Sequence, residues 1–148
     1  MIKIIKASKE HIDELEYIFS GYQTFYNQEP DSKKNLQFLK NVITKEEAIF
    51  HIAYINKNIG GFTGIYFSYS SVSAEKIAII NDLFVLPKYR KQGIGKRMMK
   101  HAIDYLSNSE ISHIRWCTKD DNLEAQGLYK EFSDNKSKWI HYDLKNYE

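Results

Sequence analysis

Between Asn81 and Lys96 the chain reads N-D-L-F-V-L-P-K-Y-R-K-Q-G-I-G-K, and its character changes halfway. Asp82 to Leu86 is mostly apolar and rich in strand formers. Pro87 stops that strand, and Gly93 and Gly95 open a segment of helical period that runs to about Leu106. A strand therefore hands over, through a basic turn, to a helix N-terminus. Such a junction is a natural anion site, because the first helical N–H groups lack intrahelical acceptors and the helix dipole places partial positive charge there.

With 148 residues the chain is expected to form a single domain, residues 1–148, with enough core to fold without disulfides or metals. Its 21 basic and 19 acidic residues leave a formal charge of +2, so no global field points to nucleic acid or a membrane surface. Cys117 is the only cysteine; an internal disulfide is excluded and a reducing, cytoplasmic setting is expected. Uninterrupted apolar runs reach only about four residues, against the ~20 that a membrane span requires. The N-terminus carries no signal-peptide pattern.

Periodicity lays out the elements. Ile2 and Ile4 begin a short strand, and Ser8 precedes a helix with Ile12, Leu15, Ile18 and Phe19 on one face, expected to end near Gly21. Tyr22, Phe25 and Tyr26 then form an aromatic cluster that reads either as core packing or as a wall of a substrate pocket. Asp31 or Ser32 starts a second helix. Ala48 to Ile55 and Gly60 to Tyr69 read as a hairpin, with Gly60, Gly61 and Gly64 marking a bulge or a close backbone approach. Lys76 to Leu86 is the central strand, Gly93 to Leu106 the third helix, Ile111 to Thr118 a strand, Leu123 to Phe132 a helix and Lys138 to Leu144 a last strand. The fold class is α/β, a mixed sheet with helices on both faces, in the order β-α-α-β-β-β-α-β-α-β.

Two nucleotide motifs fail at the basic turn. A P-loop needs Ser or Thr after its lysine and an earlier glycine, and a dinucleotide fingerprint needs a third glycine where Met98 stands. What remains is R-x-x-G-x-G, Arg90 to Gly95, in which the N–H groups of Lys91, Gln92, Gly93, Ile94, Gly95 and Lys96 can wrap a pyrophosphate. Six cations and no acid lie between Lys88 and Lys100.

With these residues in place, L-F-V-x-P-x-Y-R-x-x-G-I-G resembles the acetyl-coenzyme A signature of the GCN5-related N-acetyltransferases (GNAT), and the element order is similar to that fold along essentially the whole chain. A second block, D-D-N-L-E-A-Q-G-L-Y from Asp120 to Tyr129, resembles the family's N-x-x-A-x-x-x-Y helix. Within the family the likeness is greatest to the polyamine acetyltransferases and the related Hpa2-like group, through N-D-L-F-V, the Y-x-x-F-Y segment and the closing W-I-H-Y-D-L. The resemblance implies acetyl-coenzyme A as co-substrate. It places main-chain contacts to the pantetheine arm at Leu83, Phe84 and Val85, the pyrophosphate at Arg90 and Lys91 to Lys96, and further coenzyme contacts at Asn122, Leu123, Glu124 and Ala125.

The chemistry then needs a neutral amine, although a lysine-like amine of pKa ~10.4 is overwhelmingly protonated at neutral pH. Asp82 is the expected proton acceptor or cation anchor; Asn81, where related polyamine enzymes place a glutamate, cannot be a base. Tyr129 stands at the family position for the acid that protonates the departing thiolate. Asn81, Tyr22, Phe25, Tyr26 and Trp116 are expected around a cationic substrate. His51, His101, His113 and His141 lack metal-ligand spacing, so no metal is expected, and Cys117 is expected to be a packed thiol. The reading is thus an N-acetyltransferase acting on a small-molecule primary amine, whether polyamine, diamine or amino acid. A protein lysine or N-terminal acetyltransferase and a non-catalytic acyl-coenzyme A sensor are the alternatives. Members of the family often dimerise, so a homodimer is expected, with Trp139 to Tyr142 as its interface.

Overall fold

The computed structural model describes residues 1–146. It falls into two compact units, Met1–Cys117 and Thr118–Glu148. The first holds a five-stranded mixed sheet in sequential order: β1 (Ile2–Lys6), β2 (Ala48–Ile55), β3 (Asn58–Ser70), β4 (Glu75–Val85) and β5 (His113–Arg115). Neighbours are antiparallel up to β4, and β5 joins β4 in parallel. The expected mixed α/β sheet is therefore present.

Helices α1 (Ile12–Phe25) and α2 (Ser32–Thr44) cover one face, and α3 (Ile94–Ser107) the other. On the first face Leu15, Ile18, Leu39 and Val42 pack on Phe50, Ile52, Phe62 and Phe84. On the second, Ile94 and Met98 pack on Ala53 and Ile55, with Leu83 and Val85 beside them. The alternation of β4 after Asp82 explains this division, since Phe84 points one way and Leu83 and Val85 the other. Asp31 caps α2, accepting a hydrogen bond from the Lys34 N–H at 3.1 Å, as its sequence position requires.

α1 runs past Gly21 to Phe25. A helical glycine costs only about 1 kcal/mol, and here Tyr22 and Phe25 dock on the rings of Phe62 and Phe84. The aromatic cluster thus belongs to the helix rather than to a loop.

In the second unit α4 occupies Leu123–Tyr129, shorter than the expected span to Phe132. The strand expected over Lys138 to Leu144 does not form; those residues carry no helix or strand, and Trp139, Ile140, Tyr142 and Leu144 are exposed. Their apolar content suits a strand, but a strand needs a ladder partner, and this unit contains no other strand among its described residues. No helix among the described residues is long and apolar enough to cross a membrane.

On the α3 face, His51 of β2 is 1% exposed, with Nδ1 3.4 Å from the Thr63 hydroxyl and Nε2 unpartnered among the described residues. Its ring meets those of His101 and Tyr105 at 4.7 and 5.1 Å. Burial, followed by the charges of His101 and Lys6, lowers its pKa to about 4. The unfolded chain therefore binds this proton more tightly than the folded one, so stability is undiminished above about pH 6.5 and is lost as pH falls toward about 4. Relative to His51→Gln, the wild type should lose up to about 3 kcal/mol of unfolding free energy across that window. Urea midpoints measured at several pH values check this, and a pH-independent gap between the two proteins would refute it.

Candidate active site

The pairing of β3 with β4 slips by one residue between Gly64 and Ile65. Gly64 faces Asp82 and Ile65 faces Ile80, which leaves Asn81 as the extra residue of a β-bulge. In a regular strand Ile80 and Asp82 would share a face. The bulge breaks that parity, and Asp82 turns to the α1 face while Ile80 keeps to the α3 face. Gly64 makes the turn possible: a Cβ there would collide with Asp82 Oδ2 and sit 3.1 Å from Phe50 Cε1. The close approach expected at the β3 glycines is therefore real at this position.

Asp82 is 6% exposed. Its Oδ1 accepts hydrogen bonds from the Tyr22 hydroxyl and from Asn81 Nδ2, each at 3.0 Å. Burial raises its pKa above the ordinary carboxylate value, and the two hydrogen bonds oppose that rise without cancelling it. Burial, with the Asp82 charge and the hydrogen bond to it, holds the Tyr22 hydroxyl well above the usual phenol range, so Tyr22 remains a donor. Tyr66 is shifted the same way, by burial first and by Asp82 second. Sequence reasoning missed Tyr66. The signal was there, because Tyr66 lies two positions beyond Gly64 and so shares its face.

Around this carboxylate the rings interlock edge to face or tilted. Tyr22 meets Tyr26, Phe62 and Phe84 at 5.0, 5.3 and 5.4 Å, and Phe25 meets Phe84 at 5.9 Å. Tyr22 is partly buried against the core, whereas Phe25 and Tyr26 are about half exposed. Asn81 is exposed beside Asp82. Trp116 is half-buried just past β5.

The outer edge of β4 opens directly above the bulge. β5 pairs with β4 only from Ile77 to Ile79, far short of the strand expected over Ile111 to Thr118. A bulge bends and twists its strand, and β4 leaves its parallel neighbour one residue before it. Cys117, expected to be packed, is consequently exposed in the irregular segment that follows. The Leu86 N–H donates to Gly60 O on β3 at 2.8 Å, so alternation directs the main-chain groups of Phe84 to β3 and those of Leu83 and Val85 to the open edge.

Beyond β4, Pro87–Tyr89 forms a short 3₁₀ turn, and Lys91 and Gly93 take left-handed conformations at φ 58° and 76°. Gly93 is the N-cap of α3 and has open space where a Cβ would stand. The first bond closing the helix runs from the Arg97 N–H to Gly93 O at 3.1 Å, so the N–H groups of Ile94 and Gly95 precede it. The left-handed pair, the helix start and the flanking lysines fit a pyrophosphate. Gln92 Nε2 turns back to Lys88 O at 3.4 Å. Arg90 turns away as well, its Nε donating to Val85 O at 2.8 Å and its guanidinium lying 4.6 Å over Phe25 and 5.6 Å from Phe84.

Within the second unit, Asn122 is the N-cap of α4, its Oδ1 accepting from the Ala125 N–H at 3.1 Å. Its amide nitrogen has no partner among the described residues and keeps a donor to offer. Leu123 and Glu124 are exposed, and Ala125 and Tyr129 are half-buried.

The sequence matches the acetyltransferase (GNAT) family over residues 12–133. It is 34% identical over 128 residues to the uncharacterized N-acetyltransferase YhfO of Bacillus subtilis (strain 168), a match covering 86% of each chain. It is also 34% identical over 70 residues to the thialysine N-epsilon-acetyltransferase of Mus musculus, over 47% of this chain and 41% of that one. The crystal structure of a probable acetyltransferase superposes with a TM-score of 0.87 at 26% identity, covering 99% of both chains.

Proposed function

Because the chain belongs to the acetyltransferase (GNAT) family, we propose that it moves acetyl from acetyl-coenzyme A to the primary amine of a small molecule, by direct attack, with the whole chain serving as one catalytic domain. The observation that carries this reading is the buried Asp82 carboxylate, re-aimed by the Asn81 bulge and held by Tyr22 beside the open edge of β4. A relative named for acetylating the ε-amine of thialysine supports a small amine as acceptor.

Acetyl-coenzyme A supplies the acetyl group as an activated thioester. The turn from Lys91 to Lys96 holds the pyrophosphate, and the outward main-chain groups of Leu83 lie where an extended arm can add to β4 as a strand would. The acceptor arrives as a cation. Asp82, raised in pKa by burial, draws it in and takes its proton, directly or through one water. The N–H of Leu83 stabilises negative charge that develops on the carbonyl oxygen. Tyr129 donates the proton that the departing sulfur needs.

Thiol release measured across amino acids, diamines, polyamines and peptides tests the reading. Release with small amines is expected to exceed release with peptides; release with peptides alone, or with no amine, would overturn it. Tyr129→Phe should lower kcat by about ten-fold or more and leave the affinity for acetyl-coenzyme A unchanged. Undiminished turnover in that variant would remove Tyr129 from the proton path.

A further inference from the structure

Arg90 stands in the anion-binding turn by sequence, but its side chain is used elsewhere. Nε is fixed on Val85 O at 2.8 Å and the planar guanidinium lies over Phe25 and Phe84, which belong to the α1 face of the sheet. Asp82 is on that same face, and Tyr22, its hydrogen-bond donor, leans on the same Phe84 ring at 5.4 Å. Arg90 is half-buried, and the side-chain hydrogen bond it makes among the described residues is through Nε, which leaves its two terminal nitrogens to offer. A guanidinium locked at Nε and at its faces, with the terminal pair open, is pre-organised for the two oxygens of a carboxylate. The same placement removes one role expected for Phe25, because Arg90 already covers a face of that ring and a cationic substrate would meet the arginine's charge there.

We propose that Arg90 is the carboxylate receptor of the acceptor site, so that the amine acetylated beside Asp82 belongs to an amino acid rather than to a polyamine. This rests on the acetyl-transfer reading above and names its substrate class. The spacing selects further. Asp82 and Phe84 are two residues apart on one strand face, roughly 7 Å, and the guanidinium lies over the second of them. An ω-amine on a flexible chain spans that separation from its own carboxylate; an α-amine, with the carboxylate on the adjacent carbon, does not. A diamino acid of the lysine type meets both groups at once, whereas a polyamine places a second cation against Arg90.

Lysine and its decarboxylated counterpart cadaverine differ only in the group Arg90 would read. The wild type is expected to use lysine with a kcat/KM at least about ten-fold above that for cadaverine, since a hydrogen-bonded charge pair is worth about that much. Arg90→Gln should erase the preference by raising the KM for lysine ten-fold or more and lowering that for cadaverine, whose second cation no longer faces the arginine, with the KM for acetyl-coenzyme A unchanged. Arg90→Lys, which keeps the charge and loses the fork, should restore only part of it. Three results would overturn the proposal: a wild type that prefers cadaverine, a variant impaired in acetyl-coenzyme A alone, or a variant equally impaired with both acceptors. The wild-type preference stands as a test even if Arg90→Gln does not fold. Failure of every amine would instead overturn the acetyl-transfer reading itself.

Discussion

Asp82→Asn is expected to lower kcat by about 10²- to 10⁴-fold, the range supplied by a positioned general base, with the KM for acetyl-coenzyme A unchanged. The amide has nearly the shape of the carboxylate and its oxygen can still accept from Tyr22, so the bulge and the ring cluster should persist. What disappears is the basic oxygen. The same substitution should make the protein more stable near neutral pH. Asp82 has a folded pKa above the ordinary carboxylate value, because burial penalises the charge. The folded chain therefore holds this proton to higher pH than the unfolded chain does, and stability is lost as pH rises through the folded pKa. A neutral side chain avoids that loss. A higher Tm combined with collapsed turnover would be the signature of a residue retained for chemistry at a cost in stability. The pH profile tests whether the ionised Asp82 carboxylate is the active form. The Tyr22 hydrogen bond lowers the Asp82 pKa, so Tyr22→Phe should move the acidic limb of kcat/KM to higher pH. Turnover of Asp82→Asn at the wild-type rate would exclude the base.

The second large effect is on folding. Phe62→Ala is expected to destabilise the protein by about 3–5 kcal/mol, measured as a lowered denaturant midpoint at unchanged m-value. Phe62 is fully buried on β3, with Phe19, Tyr22, Phe50 and Phe84 around its ring at 5.3 to 6.4 Å. Removing it leaves a cavity that four rigid aromatic rings cannot close by small rotations. Two of those rings frame the site, one carrying the hydroxyl bonded to Asp82 and the other supporting Arg90. Activity should therefore fall along with stability, and the acceptor KM should rise before the acetyl-coenzyme A KM does. A loss below about 1 kcal/mol, the scale of a site that repacks, would show that this face tolerates repacking.

These two residues also mark how far the sequence could be read. The alternation of β2 and β3, the helical period after Gly93 and the cap at Asp31 are local signals, and each produced the element it announced. The glycine turn into α3 is equally local, because its left-handed backbone at Gly93 and the helix start lie within a few residues. The expectations that the structure overturns depended on partners distant in sequence. Lys138 to Leu144 has strand-like composition, yet a strand exists only where another supplies its hydrogen bonds. The strand predicted over Ile111 to Thr118 shrank to three residues because its neighbour bends away. Gly21 did not end α1, because contacts made by Tyr22 and Phe25 outweigh a glycine's small helix penalty.

Asp82, Asn81, Arg90 and the flanking aromatics were all named from sequence, as were the two glycines of the turn. Their directions were not. Whether Asp82 faces α1 or α3 depends on one unpaired residue at Asn81, and no alternation pattern announces which residue a ladder will skip. Whether Arg90 reaches for phosphate or folds back over Phe25 depends on a carbonyl left open at Val85 by the retreat of β5. Sequence by itself determined which chemical groups are present and the local elements that carry them, because propensity, period and capping act over a few residues. Tertiary structure alone decided which groups share a face, because the register between strands is set by pairing and packing across the whole sheet.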